Sequence, residues 1–167
     1  MTKLTSLIVI LLSFNFSLFS QNFLNTSGKS IVNQNGDTII LRGMGLGGWM
    51  VQEGYMMAPG GFSGTQFQIR DNITDLIGEE ETEKFYNKWL SNHVRKIDID
   101  SMKAWWFNLV RVPIHYNLFT KPIEEETFPG SYTDIEKGYT LLDSLLEWCK
   151  VNEIYICLLY TSPSPRD

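Results

Sequence analysis

The stretch DIDSMKAWWFNLVRVPIHYNLF, residues 98–119, decides the architecture. Its first half sets Ile99, Met102 and Trp105 at helical spacing, and Asp98 is expected to cap that short helix. Its second half is an apolar run over 109–114, interrupted by Arg111. Pro113 has no N–H for a ladder and is expected to mark the strand's end. An exposed edge strand would leave the Arg111 guanidinium in solvent. Parallel sheets, however, are usually covered on both faces. Arg111 is therefore expected to be buried and to reach a carboxylate at a neighbouring strand end, lowering its pKa and orienting it.

Working outward, Thr133-Asp134-Ile135-Glu136 has the form of a capping box. It is expected to open a helix with the stripe Ile135, Tyr139, Leu142, Leu146 and Cys149, and Glu153 then leads into a strand start at 154–156. Upstream, 79–94 reads as a helix with an acidic first turn, which suits the helix dipole. Phe85, Tyr86, Trp89, Leu90, His93 and Val94 share one face, where His93 is expected to be a satisfied residue at the core's edge. Residues 54–78 read as loop, from Ala58-Pro59-Gly60-Gly61 to Asp71-Asn72. Glycines 43, 45, 47 and 48 imply close backbone packing or a chain turning near a ligand. No Lys-Ser/Thr pair or dinucleotide spacing accompanies them, which excludes a phosphate loop. The runs 30–33 and 38–41 flank Gln34-Asn35-Gly36-Asp37, a strong hairpin signal. Hairpin, strand, helices, strand, helix, strand is an α/β order with parallel strands, and such folds gather chemistry at strand carboxyl ends.

Composition narrows the partners. The 167 residues carry 43% hydrophobic and 20% charged side chains, a globular balance. A net charge of −5 gives no electrostatic case for nucleic acid. Residues 1–20 hold one charge, Lys3, ahead of an apolar run and a small residue at Ser20. That pattern predicts a cleaved signal peptide, hence a secreted, periplasmic or extracellular protein with no stable membrane insertion after cleavage. Ser13, Asn15 and Ser17 dilute the run below a comfortable membrane span. Two cysteines, Cys149 and Cys157, make no disulfide framework, and Cys149 falls on a core stripe.

The candidate site residues follow the strand ends. Glu53 can accept hydrogen bonds from sugar hydroxyls, and Tyr55 can stack and donate. A solvated loop explains those two equally well on spacing alone. His115, Tyr116 and Asn117 are three polar or aromatic groups together beyond Pro113, which favours a ligand surface.

NGDTIILRGMGLGGWMVQEGYM (35–56) resembles the opening hairpin and first strand of glycoside hydrolase family 5, nearest its cellulase and exo-β-1,3-glucanase-like members. The 98–119 stretch resembles the family's run into its second strand, with the pattern N-x-V-R-x-P-I, and the resemblance spans 28–156. It implies a (β/α)8 TIM barrel. This chain would carry about the first three strands of it, preceded by an N-terminal β-hairpin. It also implies retaining cleavage of β-glucosidic bonds by two glutamates, on a β-glucan or β-glucoside substrate, with no cofactor or metal. Arg111 matches the arginine that orients the nucleophile. Glu53, Tyr55 and Tyr116 match sugar-contacting positions, and His115 joins them as a substrate-binding candidate. Gly54 departs from a common proline, His115 from glycine, and Trp106 from the glycine of a G-F-N turn. An indole crowds that turn if the glycine's conformation is required.

The family's two catalytic glutamates lie on its fourth and seventh strands, and the acidic runs 79–83 and 124–126 match neither. Both runs are expected to be solvated. Residues 157–167, CLLYTSPSPRD, resemble a translated sequencing adapter, with a natural Ser/Pro linker as the plainer alternative. The expected organisation is thus a signal segment at 1–20, the N-terminal part of a catalytic barrel at 21–156 and a foreign tail. Such a fragment is expected to be inactive, since a full barrel takes about 250 residues. Two rivals stay open: a non-catalytic carbohydrate-binding protein on the same scaffold, and a small complete α/β protein. Exo or endo action, glucan linkage and oligomeric state are left open.

Overall fold

A computed structural model describes residues 23–57 and 64–160. The expected signal segment, Ala58-Pro59-Gly60-Gly61 and residues 161–167 lie outside the described residues. The chain divides into two compact units, Met1–Ile40 and Leu41–Asp167.

In the first unit, β1 (Asn25–Ser27) and β2 (Ser30–Val32) pair antiparallel. Gly28 supplies the left-handed turn between them, at φ 59°. The hairpin expected at 30–33 and 38–41 forms only in part. Its turn is present, with Asn33 Oδ1 accepting from the N–H groups of Asn35 and Asp37, both at 2.9 Å. Beyond it the arms meet at a single Val32–Thr38 bridge and an Ile39 N–H to Ile31 carbonyl bond of 2.8 Å. Among the described residues, β2 makes its ladder with β1 instead.

In the second unit, β3 (Gly43–Gly45), β4 (Leu109–Ile114) and β5 (Tyr155–Tyr160) form a parallel sheet in that order. This is the expected α/β arrangement. Strand β4 runs one residue past Pro113, and Met50 bridges to Ile114. Gly45 and Cys157 flank Arg111. Residues 157–160, the start of the segment read as foreign, continue β5 opposite 111–114.

Five helices accompany these strands among the described residues: α1 (Gly54–Met57), α2 (Gln66–Ile77), α3 (Glu79–His93), α4 (Lys96–Ala104) and α5 (Glu136–Val151). The loop reading of 54–78 is therefore corrected. Thr65 and Gln68 form a capping box that starts α2: Gln68 N–H donates to Thr65 Oγ1 at 3.3 Å, and Thr65 N–H donates to Gln68 Oε1 at 3.0 Å. Asp98 is not the cap of α4 but sits one turn in, where its carboxylate accepts from Arg95 N–H at 2.8 Å. The capping box at 133–136 does not form, because the Thr133 hydroxyl donates to Glu126 and Asp134 accepts from Tyr139. The buried stripe of α5 is Gly138, Leu145 and Cys149, flanked by Leu141, Leu142 and Trp148. Tyr139 and Leu146 lie off it and are about half exposed, as Trp105 is exposed beyond α4. The face expected on α3 holds, with Leu90 and Val94 buried and Trp89 packed against them.

Both helix-to-strand turns end in the same way. After α4, Trp106 N–H bonds the Lys103 carbonyl and Phe107 N–H bonds that of Met102, each at 3.0 Å. After α5, Glu153 N–H bonds the Lys150 carbonyl at 3.3 Å and Ile154 N–H that of Cys149 at 2.9 Å. This double pattern is the Schellman motif, whose pivot is left-handed and favours glycine. Here the pivots are Trp106, at φ 68°, and Glu153, at φ 53°. The conformation that the glycine of a G-F-N turn would serve is thus present with an indole in its place, and the indole swings clear by being 80% exposed. Trp106→Gly removes left-handed strain and loses little burial. It is expected to raise stability by about 1 kcal/mol, net of the greater freedom of the unfolded chain. A lower denaturation midpoint in urea would contradict this reading.

Candidate functional site

The loop after β3 is held against α3 by three side chains. Trp89 Nε1 donates to the Gly48 carbonyl and Trp49 Nε1 to that of Leu90, both at 2.8 Å. His93 Nε2 lies 3.2 Å from the Gly47 carbonyl and its ring stacks on Trp89 at 4.6 Å. His93 is thus satisfied at the edge of the core, as expected. Gly48 turns at φ 75°, with the His93 ring 3.6 Å from where a Cβ would stand. The glycine run therefore serves close packing of backbone beneath aromatic side chains.

Beyond that loop, the Tyr55 hydroxyl donates to Glu53 Oε2 at 3.1 Å, and both side chains are exposed. The bond to Glu53 and then the Glu53 charge raise the Tyr55 pKa above the ordinary phenol value, with a smaller push from burial. The Arg111 charge acts on Tyr55 in the opposite direction, so the three groups share one electrostatic neighbourhood.

Arg111 corrects an expectation. It is exposed, between buried Val110 and Val112. Strand β4 covers one face with the helices and leaves the other open, which is the alternating pattern of a sheet with one wet face. Among the described residues Arg111 forms no ion pair.

His115 and Tyr116 follow β4 and stack at 4.5 Å, and Phe67 of α2 meets the His115 ring edge-on at 5.5 Å. His115 Nδ1 accepts from Asn117 N–H at 3.3 Å, starting a single 3-10 turn over Tyr116–Leu118. An accepting Nδ1 leaves the proton of the neutral ring on Nε2. Gly138 of α5 supports this turn from outside. A Cβ there would stand 2.6 Å from the Leu118 carbonyl and 2.7 Å from the Phe119 ring.

The structure thus brings Glu53, Tyr55 and Arg111 together, and places His115 and Tyr116 at the end of the same strand as Arg111. Together they offer one carboxylate, two phenols, a guanidinium and an imidazole, a set suited to binding hydroxyl groups. Retaining glycoside hydrolysis needs two carboxylates about 5 Å apart, and this set contains one. The acidic residues of α3 are engaged elsewhere: Arg70 pairs with Glu79 and Glu83, and Lys84 with Glu80 and Glu81. Glu124 and Glu125 are exposed as expected, whereas Glu126 binds back to Ser131 and Thr133. Gln52 and Gln66, which sequence reasoning passed over, and Tyr86, which it placed only on a helix face, line a cleft next to this set. The capping box at Thr65 and Gln68 was the signal that would have located α2.

Among the described residues no helix is long and apolar enough to cross a membrane. Cys149 is buried and its thiol is pushed up to about 12 by that burial, whereas Cys157 is exposed.

No protein-family model matches the chain. It is 34% identical over 146 residues to a beta-xylosidase of Phanerodontia chrysosporium, covering 87% of this chain and 29% of that protein. It is 25% identical over 158 residues to glucan 1,3-beta-glucosidase 2 of Candida albicans, covering 88% and 31%. A glucan 1,3-beta-glucosidase of Pichia angusta is 31% identical over 110 residues, covering 64% and 23%. These relatives are glycosidases by name, and the chain spans less than a third of their length. Among solved structures, a rutinosidase from Aspergillus niger covers 70% of this chain and 31% of its own, with a TM-score of 0.49 at 18% identity. That match is too loose to bear on fold or function.

Two outcomes follow from the geometry. Glu53→Gln removes the charge that raises Tyr55 and is expected to bring its phenol back toward about 10, read by ultraviolet titration against a Tyr55→Phe blank. The sign is that of a raised acid: the Glu53–Tyr55 contribution is present below about pH 10 and lost as pH rises through the raised value. In thiol labelling at pH 8, one cysteine of the native chain should react quickly, Cys157, and the second only after unfolding. Fast reaction of both would place Cys149 outside a formed core.

Proposed function

We propose that the chain is the N-terminal portion of a secreted, retaining glycoside hydrolase of family 5. The parent would cleave β-glucosidic bonds in β-glucans on a (β/α)8 barrel whose first strands are β3, β4 and β5. The observation that carries this reading is the Glu53–Tyr55 pair, which follows β3 in the chain and lies in the field of Arg111 on the adjacent parallel strand β4. Glycosidase relatives over most of the chain support it. In this reading Glu53 accepts from sugar hydroxyls, and Tyr55 and Tyr116 line the ring, with His115 beside them. Arg111 holds a nucleophile carboxylate ionised once that group stands over the open face of β4. Its exposure fits a partner supplied from outside these residues. Acid/base and nucleophile then come from sequence not contained here. The beta-xylosidase relative adds β-xylosides as the competing substrate class.

The second reading is a non-catalytic carbohydrate-binding protein on the same scaffold. It is favoured by one observation, the single carboxylate among the five candidate residues. Gene sequence beyond the codon for Ile156 separates the two. A parent lacking Asn-Glu after a fourth strand and Glu after a seventh would sink the enzyme assignment.

The 167-residue chain by itself is expected to release no sugar from β-1,3-glucan, β-1,4-glucan or aryl β-glucosides, because protonating the leaving group and attacking the anomeric carbon need two carboxylates. Turnover by purified chain would contradict that. In an active parent, Arg111→Lys should lower kcat by about 10²-fold with a smaller change in KM, as expected for a group that acts on the transition state.

A further inference from the structure

Gln52 is the last buried residue before the exposed Glu53–Tyr55 pair, and it is only 6% exposed. The pair shares the turn that opens α1, where Met56 N–H donates to the Glu53 carbonyl at 2.9 Å. Behind the pair, the Met56 methyl lies 2.7 Å from where a Gly47 Cβ would stand, an apolar contact with no preferred direction. Ahead of it the tie is polar. The Tyr86 hydroxyl of α3 donates to Gln52 Oε1 at 2.8 Å. Tyr86 is itself half-buried, and Arg70 of α2 lies over its ring at 5.1 Å while pairing with Glu79 and Glu83 of α3. The phenol is thus held between two helices. Helix α2 meets the same residue once more, since Gln66 Oε1 accepts from Gln52 N–H at 3.5 Å, the long end of a hydrogen bond.

Gln52 Nε2 is buried and has no partner. Among the described residues, the Tyr86 hydroxyl is therefore the one polar contact of this carboxamide. A buried amide with one end unmet already bears a desolvation cost. Losing the other end as well would favour turning the side chain out to water. Glu53 is the next residue, so that turn would carry with it the carboxylate to which Tyr55 donates. We propose that Tyr86, acting through Gln52, is a positioning residue for the Glu53–Tyr55 pair: a hydrogen bond on the buried side of the chain fixes the backbone from which the exposed carboxylate faces the phenol. That the placed pair serves a ligand rests on the function proposed above, whereas the placement stands on these contacts alone.

The test is the titration of Tyr55 in the 167-residue chain, followed by the NMR signal of its labelled ring Cζ and identified by the loss of that signal in Tyr55→Phe. The charged groups acting on this phenol are Glu53, which raises it, and Arg111, which lowers it. Glu53→Gln sets the midpoint of the released phenol. Tyr86→Phe removes the hydroxyl beyond Gln52 and keeps the ring beneath Arg70. It is expected to move the Tyr55 midpoint down at least half way to that of Glu53→Gln. Added to Glu53→Gln, it should shift Tyr55 no further, because it acts only through Glu53. Gln52→Asn, one methylene too short to meet Tyr86, should reproduce the shift. The indole N–H peaks of Trp49 and Trp89, bonded to the Leu90 and Gly48 carbonyls, report the fold. If one of the two variants loses those peaks, the other decides. An unchanged midpoint with the indole peaks in place overturns the inference, as does a further shift in the double variant. Loss of the peaks in both variants overturns it too, since the bond then holds the core and not the pair. Those three outcomes leave the proposed function standing. A wild-type Tyr55 that titrates like that of Glu53→Gln ends the inference and also removes the observation that carries the proposed function.

Discussion

Asn108 fixes the sheet. Its side-chain oxygen accepts from Arg42 N–H at 2.7 Å, and its own N–H donates to the Arg42 carbonyl at 3.0 Å. Its carbonyl then accepts from Tyr155 N–H at 2.8 Å. One residue, immediately before β4, therefore meets the chain entering β3 on one side and β5 on the other. A slip of one residue would turn Val110 and Val112 from the helices to the open face. Each bond is worth only about 1 kcal/mol net. The register they hold in common places Gly45, Arg111 and Cys157 in one row, and hence the strand ends side by side.

The helices are tied to that sheet by repetition. Both α4 and α5 stop in a Schellman turn and enter a strand within a few residues, and the two turns touch. Lys103 pairs with Glu153 at 3.0 Å, and Asn152 Nδ2 donates to Asp100 at 2.8 Å. The ion pair is exposed and adds little by itself. Its place shows that the two helix-to-strand turns lie side by side. Left-handed strain at Trp106 and Glu153 is the cost of making both turns without glycine.

What could be read in the sequence follows from how local its causes are. Strand β4 is a six-residue run, apolar but for Arg111, that forms as expected except that it ends one residue beyond Pro113, and α3 carries an acidic first turn and a face repeated at helical spacing, as expected. The turn glycine replaced by Trp106 was legible too, because the indole's misfit depends on backbone conformation alone. Helix α2 is hard to see in the sequence because Asp71 and Asn72 have low helix propensity and Ile69 alone supplies a fully buried contact. The stripe of α5 was displaced because its contact is made by Gly138, which no apolar periodicity detects. The burial of Arg111 was misread because it depends on what covers the second face of the sheet, a property of the assembly of strands and not of β4.

That last error bears on the site. An arginine on the wet face of a parallel strand has no structural duty in the core, which is built from Val110 and Val112 on the opposite face. Its position is set by the register that Asn108 holds, and its charge is felt at Tyr55 across the strand end. Glu53 and the α1 residue Tyr55 follow a loop that Trp49, Trp89 and His93 bind to α3, and His115 and Tyr116 lie at a turn that packs against Gly138. Val110 and Val112 thus build the core while Arg111 stands on the opposite face, so that packing of the sheet and placement of the strand-end side chains draw on different residues.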